Sequence, residues 1–128
     1  MIDLHPTECN LCGGRVVYTT NDEIYGKQYG SGYCYICSRC KAYVGTHLNH
    51  PKDAMGILAN KQMRELKMRC HDIFDKMWNT SNERREMYHK LSKKMGIPLA
   101  DCHFGHFNLG QLWKALLILK EWRDNGSN

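Results

Sequence analysis

Two C-x-x-C pairs constrain this chain more than any other feature of its sequence. Cys9 and Cys12 form the first pair, Cys37 and Cys40 form the second, and 24 residues separate the pairs. Each pair can form a tight knuckle whose backbone N–H groups point at sulfur, and two facing knuckles supply the four thiolates that Zn²⁺ prefers. The four cysteines therefore predict one structural Zn²⁺ with no open coordination position, folding a segment too small to be stable by itself.

The cysteine count favours metal ligation over disulfides. The chain has seven cysteines, and an odd number without a secretion signal indicates thiolate ligands plus a few structural thiols. Cys34 leaves the ligand set open, because Cys34-x-x-Cys37-x-x-Cys40 also allows a shifted pair. We favour Cys34 as an ordinary strand thiol. A redox role is not expected, since neither pair opens a helix in a βαβ setting.

The hydrophobic pattern changes at Pro51. Before it, β-favouring runs separated by turn residues predict strands at 15–20, 24–25, 33–36 and 42–46. After it, apolar residues recur at helical spacing. We predict an α+β fold, in which a small antiparallel zinc ribbon at 1–50 packs against a three-helix region at 51–128 to form a single compact domain.

Capping residues mark the three helices. Asn60 can cap the first helix, and Thr80 opens a capping box for the second. Asn108 caps the third, whose apolar stripe is predicted to include Trp113 and Leu117 and to reach about residue 123.

Positive charge is concentrated in the middle of the chain. The sequence has 18 Lys and Arg against 13 Asp and Glu, a formal net charge of +5. Residues 51–95 hold eleven basic and six acidic side chains, whereas the segments on either side are balanced. We therefore predict a basic face on the first two helices that binds phosphates or an acidic surface, although a solvated face is the commoner fate of such residues. Its members are Lys61, Arg64, Lys67, Arg84, Arg85, Lys90, Lys93 and Lys94.

Two further groups of residues have alternative interpretations. The ribbon tyrosines could stack on unpaired bases, but we expect about half of them to form the ribbon core; they are Tyr25, Tyr29, Tyr33, Tyr35 and Tyr43. His71, Asp75 and His103 could bind a second metal or act as acid and base, but a structural polar hub is the interpretation we favour. Because recognisable catalytic motifs are absent, we expect no enzyme, and a hydrolase using these three residues is the alternative.

The segment 35–47 around Cys37 and Cys40, together with residues spread over 58–107, resembles a zinc-finger-containing family found in phages and bacterial mobile elements. The resemblance covers roughly residues 9–119, with Cys34 and Phe104 as departures. It rests on the segment 35–47 around Cys37 and Cys40, and on Leu58-Ala59, Arg64, His71, Phe74-Asp75, Trp78, Arg85, Tyr88, Leu91, Met95-Gly96, Cys102-His103-Phe104-Gly105 and Phe107.

The resemblance implies a zinc site and a phage-type origin. Some phage anti-CRISPR inhibitors of Cas9 are compact metalloproteins, and this chain is similar in kind. We therefore expect a non-enzymatic protein that binds and inhibits a host defence nucleoprotein such as a Cas effector, with Cas9 as the first candidate. The alternative is an accessory protein of phage replication or transcription that binds DNA or RNA. A net charge of +5 excludes inhibition by an acidic, DNA-mimicking surface.

The sequence also bears on localisation. Its longest apolar run has five residues, from Ala115 to Leu119, far fewer than the roughly 18 that a membrane helix needs. The first residues lack the pattern of a signal peptide. We expect a cytoplasmic protein without a membrane partner, located in the host cytoplasm if a phage encodes it.

Overall fold

The computed structural model describes residues 2–126. The predicted regions run from 1 to 128, so their terminal residues Met1, Ser127 and Asn128 lie outside the described residues. Contacts divide the chain into two compact units, Ile2–Lys61 and a second that begins at Gln62. We call them the ribbon unit and the helical unit. The α+β class is confirmed, while the single domain with a boundary at residue 50 stays a prediction.

The ribbon unit contains an antiparallel sheet of three strands in the order β1-β2-β3. These strands are β1 (Val16–Thr20), β2 (Tyr33–Cys37) and β3 (Tyr43–Gly45). Val16 pairs with Cys37 across β1 and β2, and Cys34 pairs with Gly45 across β2 and β3. The register therefore places the start of β1 beside the first ligand of the second C-x-x-C pair.

The core of the ribbon unit is small. Its chain continues past residue 50, and isolated bridges pair Thr46 with Ala54 and Tyr43 with Ala59. A core of this size offsets little of the entropy lost on ordering about 60 residues, so a metal cross-link is needed. The buried residues are Cys9, Val16, Tyr35, Cys37, Ala42, Val44, Ala54 and Leu58, with Cys12 packed against them.

The strand predicted at 24–25 is wrong. Asp22–Tyr25 forms a single helical turn, α1, which Gly26 ends with φ of 80°. The buried Asn21 side chain holds this segment, because its amide nitrogen donates to the Tyr29 carbonyl at 2.8 Å and its oxygen accepts from the Tyr29 N–H at 3.2 Å. Two apolar residues are too few to distinguish a strand from a turn.

The helical unit is built from three helices, α2 (Lys61–Phe74), α3 (Ser81–Met95) and α4 (Leu109–Asp124). Capping boxes at Thr80 and Asn108 begin α3 and α4 as predicted, and Gly96 in the left-handed conformation ends α3. Short 3-10 turns follow α2 at Asp75–Met77 and precede α4 at Leu99–Asp101 and Phe104–His106. Among the described residues, no helix has the length and apolar character needed to cross a bilayer.

Aromatic rings from distant segments form the centre of the helical unit. The Phe74 ring of α2 lies 4.6 Å from that of Tyr88 in α3 and 5.4 Å from that of Phe104. Leucines from all three helices complete this core. Buried leucines include Leu66, Leu91, Leu112, Leu116 and Leu119.

The predicted stripe of α4 is wrong at two positions. Trp113 and Leu117 are 42% and 63% exposed. The buried positions of α4 are 112, 115, 116, 118, 119 and 122, and at about 100° per residue positions 113 and 117 fall outside that arc. Trp122 is buried as expected.

Candidate metal centre

The four cysteines of the two C-x-x-C pairs converge in the ribbon unit. Their sulfurs all lie within 4.8 Å of one another. The sulfurs of Cys9 and Cys40 are 3.7 Å apart, and those of Cys12 and Cys37 are 3.4 Å apart. A tetrahedron with Zn–S distances of about 2.3 Å has S···S edges of about 3.8 Å, so the cluster has the dimensions of a zinc site.

The first knuckle is a tight backbone turn. The Gly13 N–H donates to the Cys9 carbonyl at 2.9 Å, and the Cys9 N–H donates to the Gly14 carbonyl at 2.8 Å. Gly13 has φ of 75°, a conformation that glycine adopts without steric cost. The Leu11 N–H points at Cys9 Sγ at 3.4 Å, and that of Gly14 points at Cys12 Sγ at 3.3 Å.

The second knuckle has the same two backbone hydrogen bonds as the first. The Lys41 N–H donates to the Cys37 carbonyl at 3.1 Å, and the Cys37 N–H donates to the Ala42 carbonyl at 2.8 Å. Lys41 occupies the position of Gly13 and has φ of 68°, the positive φ of a non-glycine residue. This conformation costs about 1–2 kcal/mol in an L-residue. The chain therefore carries backbone strain beside Cys40.

The electrostatics of the cluster favour thiolates around a cation. The backbone N–H groups of Cys40 and Arg39 donate to Cys37 Sγ and lower the pKa of Cys37 to about 6, although burial opposes them. The Ala42 N–H lowers the pKa of Cys40, but desolvation and the neighbouring thiols outweigh it and raise that pKa to about 11. Cys37 therefore ionises readily, whereas a thiolate at Cys40 beside it needs a cation nearby.

Gly14 permits the close approach of the two knuckles. A Cβ atom at this position would lie 2.8 Å from Cys37 Sγ, 2.8 Å from Arg39 Cβ and 3.2 Å from Cys12 Sγ. Only a residue without a side chain fits there. This role of Gly14 was not predicted above, and the Gly-Gly pair after Cys12 is the signal that the sequence offers for it.

Asn10 is a second residue that the sequence analysis missed. It lies between the first two ligands, and its side-chain nitrogen donates to the Leu58 carbonyl at 3.0 Å. Its side-chain oxygen accepts from the Leu58 N–H, also at 3.0 Å. Both bonds join the first knuckle to the segment that follows the sheet.

These observations fit Zn²⁺, and the protein binds one structural zinc ion through Cys9, Cys12, Cys37 and Cys40. Four thiolates complete a tetrahedral coordination shell, so the ion acts as a cross-link between the two knuckles. Cys34 is buried in β2 and is not part of the cluster.

The remaining buried thiols are structural. Burial raises the pKa of Cys70 and of Cys102 to about 11 in each case. Cys70 Sγ contacts the Leu112 carbonyl at 3.8 Å. Thiols that stay protonated at neutral pH are poor nucleophiles and poor metal ligands.

The helical unit contains His71, Asp75 and His103. Each side chain is exposed, and in the described part of the chain no hydrogen bond joins any two of them. The His71 ring packs edge-on against Phe104 with centroids 4.8 Å apart, whereas the His103 ring lies 5.9 Å from that of Tyr88. Within residues 2–126, none of the three belongs to a group of side chains able to hold a metal.

Charged side chains of both signs surround His71. Partial burial lowers the pKa of His71, and the charges of Lys67 and Arg84 lower it further, although Asp75 opposes them. Of the predicted basic face, Lys67 from α2 and Arg84 from α3 therefore both lie near this histidine.

The eight residues of the predicted basic face lie on α2 and α3. Lys61, Arg64 and Lys67 are on α2, and the other five are on α3. Burial lowers the pKa of Lys67, and the nearby charge of Arg64 lowers it as well. No ion-pair partner of Lys61, Lys67, Arg85, Lys93 or Lys94 is present among the described residues.

Two members of the basic face pack on aromatic rings. The Arg84 guanidinium lies 5.6 Å from the Trp78 ring and 4.9 Å from that of Tyr88, and Lys90 Nζ lies 4.5 Å from the Trp122 ring. Such contacts hold a cation in place without neutralising its charge.

The ribbon tyrosines are divided between core and surface. Tyr35 is buried and its hydroxyl donates to the Lys52 carbonyl at 2.6 Å. Tyr25, Tyr29 and Tyr33 are exposed and line a cleft of about 450 Å³. Tyr33 also stacks on the exposed Tyr18 with ring centroids 5.3 Å apart.

Comparison with known proteins yields one match. A family model described as DUF3268, zinc-finger-containing domain, matches residues 5–122. No curated protein and no solved structure matches the chain. The matched range includes the four zinc ligands, all of α2 and α3, and α4 up to residue 122.

Proposed function

Because the chain belongs to the DUF3268 family of zinc-finger-containing domains, we propose that it is a non-enzymatic protein that binds nucleic acid. Zn²⁺ stabilises the ribbon unit, and the cations of the helical unit contact phosphates. A DNA or RNA strand is the partner that this chemistry fits best.

The unpaired cations of the helical unit carry this proposal. Residues 62–126 hold twelve basic and eight acidic side chains, a net charge of +4. Lys67, Arg85, Lys93 and Lys94 have no ion-pair partner within the range 2–126. Folding gains little from unpaired cations at the surface of a helix, whereas each can release a counterion on binding a phosphate.

Exposed aromatic rings on the ribbon unit support the same function. Tyr25 and Tyr29 are 45% and 50% exposed and pack edge-on against each other with ring centroids 5.1 Å apart. The exposed part of this aromatic pair would stack on unpaired bases. Stacking on aromatic side chains contributes about 1–3 kcal/mol per base and tolerates any sequence. Single strands are therefore the form of nucleic acid we expect to bind most tightly.

The absence of catalysis is part of the proposal. Four thiolates leave zinc no open position for water or substrate. The alternative is a hydrolase that uses His71, Asp75 and His103. Loss of all function in His71→Ala, with the fold and the zinc content intact, would support that alternative.

An inhibitor of a host defence nucleoprotein is the finer function that the resemblance implies. An inhibitor of this kind would cover protein surface of Cas9, where far fewer counterions are released than on binding a strand. We keep this function as a second proposal because it predicts a different result. Binding to purified Cas9 would be stoichiometric and tolerant of salt.

The experiment is fluorescence anisotropy with labelled (dT)20 across a series of salt concentrations. Wild-type affinity should fall steeply with salt. Replacing Arg85 and Lys93 by Gln should weaken binding several-fold and reduce the slope of log K against log salt by about 1.4, since each phosphate contact on a single strand contributes about 0.7.

The matched control removes the same charge from the ribbon unit. Arg15→Gln with Lys52→Gln changes two exposed side chains away from Tyr25 and Tyr29 and should change the affinity less than about twofold. The proposal fails if wild-type protein does not bind (dT)20 at low salt, or if both double variants weaken binding equally. Salt-tolerant binding to Cas9 without binding to (dT)20 would favour the inhibitor.

A further inference from the structure

A second set of cations lies in a cleft between α2 and α4. The cleft has a volume of about 380 Å³ and is within the size range of small-ligand sites. Its basic side chains are Arg69, Lys76, Lys120 and Arg123, and Asp72 is the acidic residue of its lining. None of these residues belongs to the predicted basic face.

Helical geometry explains why α2 carries two separate groups of cations. Positions 69, 72, 73 and 76 are spaced by three and four residues and share one side of the helix axis. Lys67 and Arg64 lie on the other side, and the buried residues Leu66 and Cys70 lie between the two groups. The cleft is therefore a distinct surface of the helical unit.

The cations of the cleft are largely uncompensated. Within the chain from 2 to 126, Arg69, Lys76 and Lys120 make no hydrogen bond or ion pair through their side chains. Arg123 Nε lies 3.1 Å from Asp124 Oδ1. Four basic residues against Asp72 leave the lining with a net charge of +3.

Helix dipoles do not explain this arrangement. Cations stabilise the carboxyl ends of helices, but the effect is confined to the last turn. Arg69 lies before the last turn of α2, which ends at Phe74, and Lys120 lies before that of α4, which ends at Asp124. These two charges line the cleft from different helices, and among residues 2–126 neither side chain makes a hydrogen bond or an ion pair.

We infer that this cleft binds the phosphate groups of a nucleoside phosphate or of a nucleotide within a strand. Arginine and lysine side chains from two helices can surround a phosphate, and the arginines can donate two parallel hydrogen bonds to it. Ile73 and Met77 are half-buried in the lining and offer apolar contact to a ribose or base. Binding of a nucleotide within a strand rests on the proposed function, whereas binding of a free nucleoside phosphate does not.

Calorimetry with ATP, inorganic pyrophosphate and (dT)20 tests this inference. Wild-type protein should bind ATP and pyrophosphate at concentrations below about 1 mM. Arg69→Gln with Lys120→Gln should weaken both by about tenfold or more, since charged hydrogen bonds contribute about twice as much as neutral ones. Lys76→Gln, which removes a single exposed charge from the lining, should weaken the binding of ATP and pyrophosphate to a smaller extent.

The control is Arg85→Gln with Lys93→Gln, which removes the same charge from the basic face. It should change the binding of ATP less than about twofold. The inference is overturned if wild-type protein binds neither ATP nor pyrophosphate, or if cleft and control variants weaken binding equally. Unchanged circular dichroism and zinc content in every variant confirm that the comparison is made on folded protein.

The test separates this inference from the proposed function. Binding of ATP that depends on Arg69 and Lys120, without any binding of (dT)20, supports the cleft and contradicts nucleic-acid binding. Binding of (dT)20 that depends on Arg85 and Lys93, without any binding of ATP or pyrophosphate, supports nucleic-acid binding and contradicts the cleft.

Discussion

Adjacent glycines after Cys12 have different physical roles. Gly13 adopts a positive φ of 75°, with Glu8 Oε1 at 3.5 Å from the place of a Cβ. Gly14 has an ordinary φ, but its missing side chain leaves room for the sulfur of Cys37. Backbone conformation therefore decides one position and close packing decides the other.

This difference predicts unequal effects of alanine at the two positions. Gly14→Ala should destabilise the ribbon unit by about 2–3 kcal/mol through overpacking and should weaken zinc binding at least tenfold. Gly13→Ala should cost about 1–2 kcal/mol through backbone strain. Competition with a chromophoric zinc chelator measures the affinity, and urea titration measures the stability.

Equal zinc affinities of the two alanine variants would contradict this prediction. If Gly14→Ala binds zinc as tightly as Gly13→Ala does, the two knuckles do not approach as closely as described. A loss of one zinc equivalent in Gly14→Ala alone would agree with the geometry around Cys37.

At the scale of single elements, the stability of α3 depends on the capping box at its amino end. Most residues of α3 are polar, and its buried residues include Met87, Leu91 and Met95. The Glu83 N–H donates to the Thr80 hydroxyl at 3.1 Å, and the Glu83 carboxylate accepts from the Thr80 N–H at 3.0 Å. Both bonds satisfy N–H groups that lack a partner within the helix.

Removing this cap should destabilise the helical unit. Thr80→Ala deletes the hydroxyl acceptor and should lower the free energy of unfolding by about 1 kcal/mol. Ser81→Ala is the control, because Ser81 is exposed and its side chain makes no hydrogen bond in the described chain. It should change stability by less than about 0.5 kcal/mol. Urea denaturation followed at 222 nm compares the two, and equal stability of both variants would contradict the capping role.

For the whole molecule, the two units have different sources of stability. The helical unit buries Phe74, Phe104 and Phe107 completely or almost completely. The ribbon unit has a core of mostly small residues around the four cysteines. Structural zinc contributes about 10–16 kcal/mol in small metal-stabilised domains, so most of the ribbon's stability is expected to come from the ion.

Removal of zinc should therefore unfold the ribbon unit. Treatment with a strong chelator, or Cys→Ser at all four ligands, should collapse the amide signals of residues 2–61 in a two-dimensional NMR spectrum. Signals of 62–126 should stay dispersed because that unit has its own apolar core. Dispersed ribbon signals in a metal-free sample would show that the four-cysteine site does not hold this fold together.

Short-range spacing in the sequence determined the zinc ligands and several helix ends of this protein. The two C-x-x-C pairs specify the ligands, and the capping residues at Thr80, Gly96 and Asn108 specify where helices begin or end, because each signal acts within about one turn of chain. The short segment at 24–25 was predicted wrongly since it has too few residues for a periodic pattern.

The tertiary structure decided what depends on residues far apart in sequence. Gly14 acquires its role only when Cys37 lies against it, and Arg69 becomes part of a cleft only when α4 brings Lys120 to the other side. Trp113 is exposed because the packing of α4 selects which part of its apolar surface is buried. Sequence specifies which groups are available, whereas burial and charge compensation are properties of contacts that form only on folding.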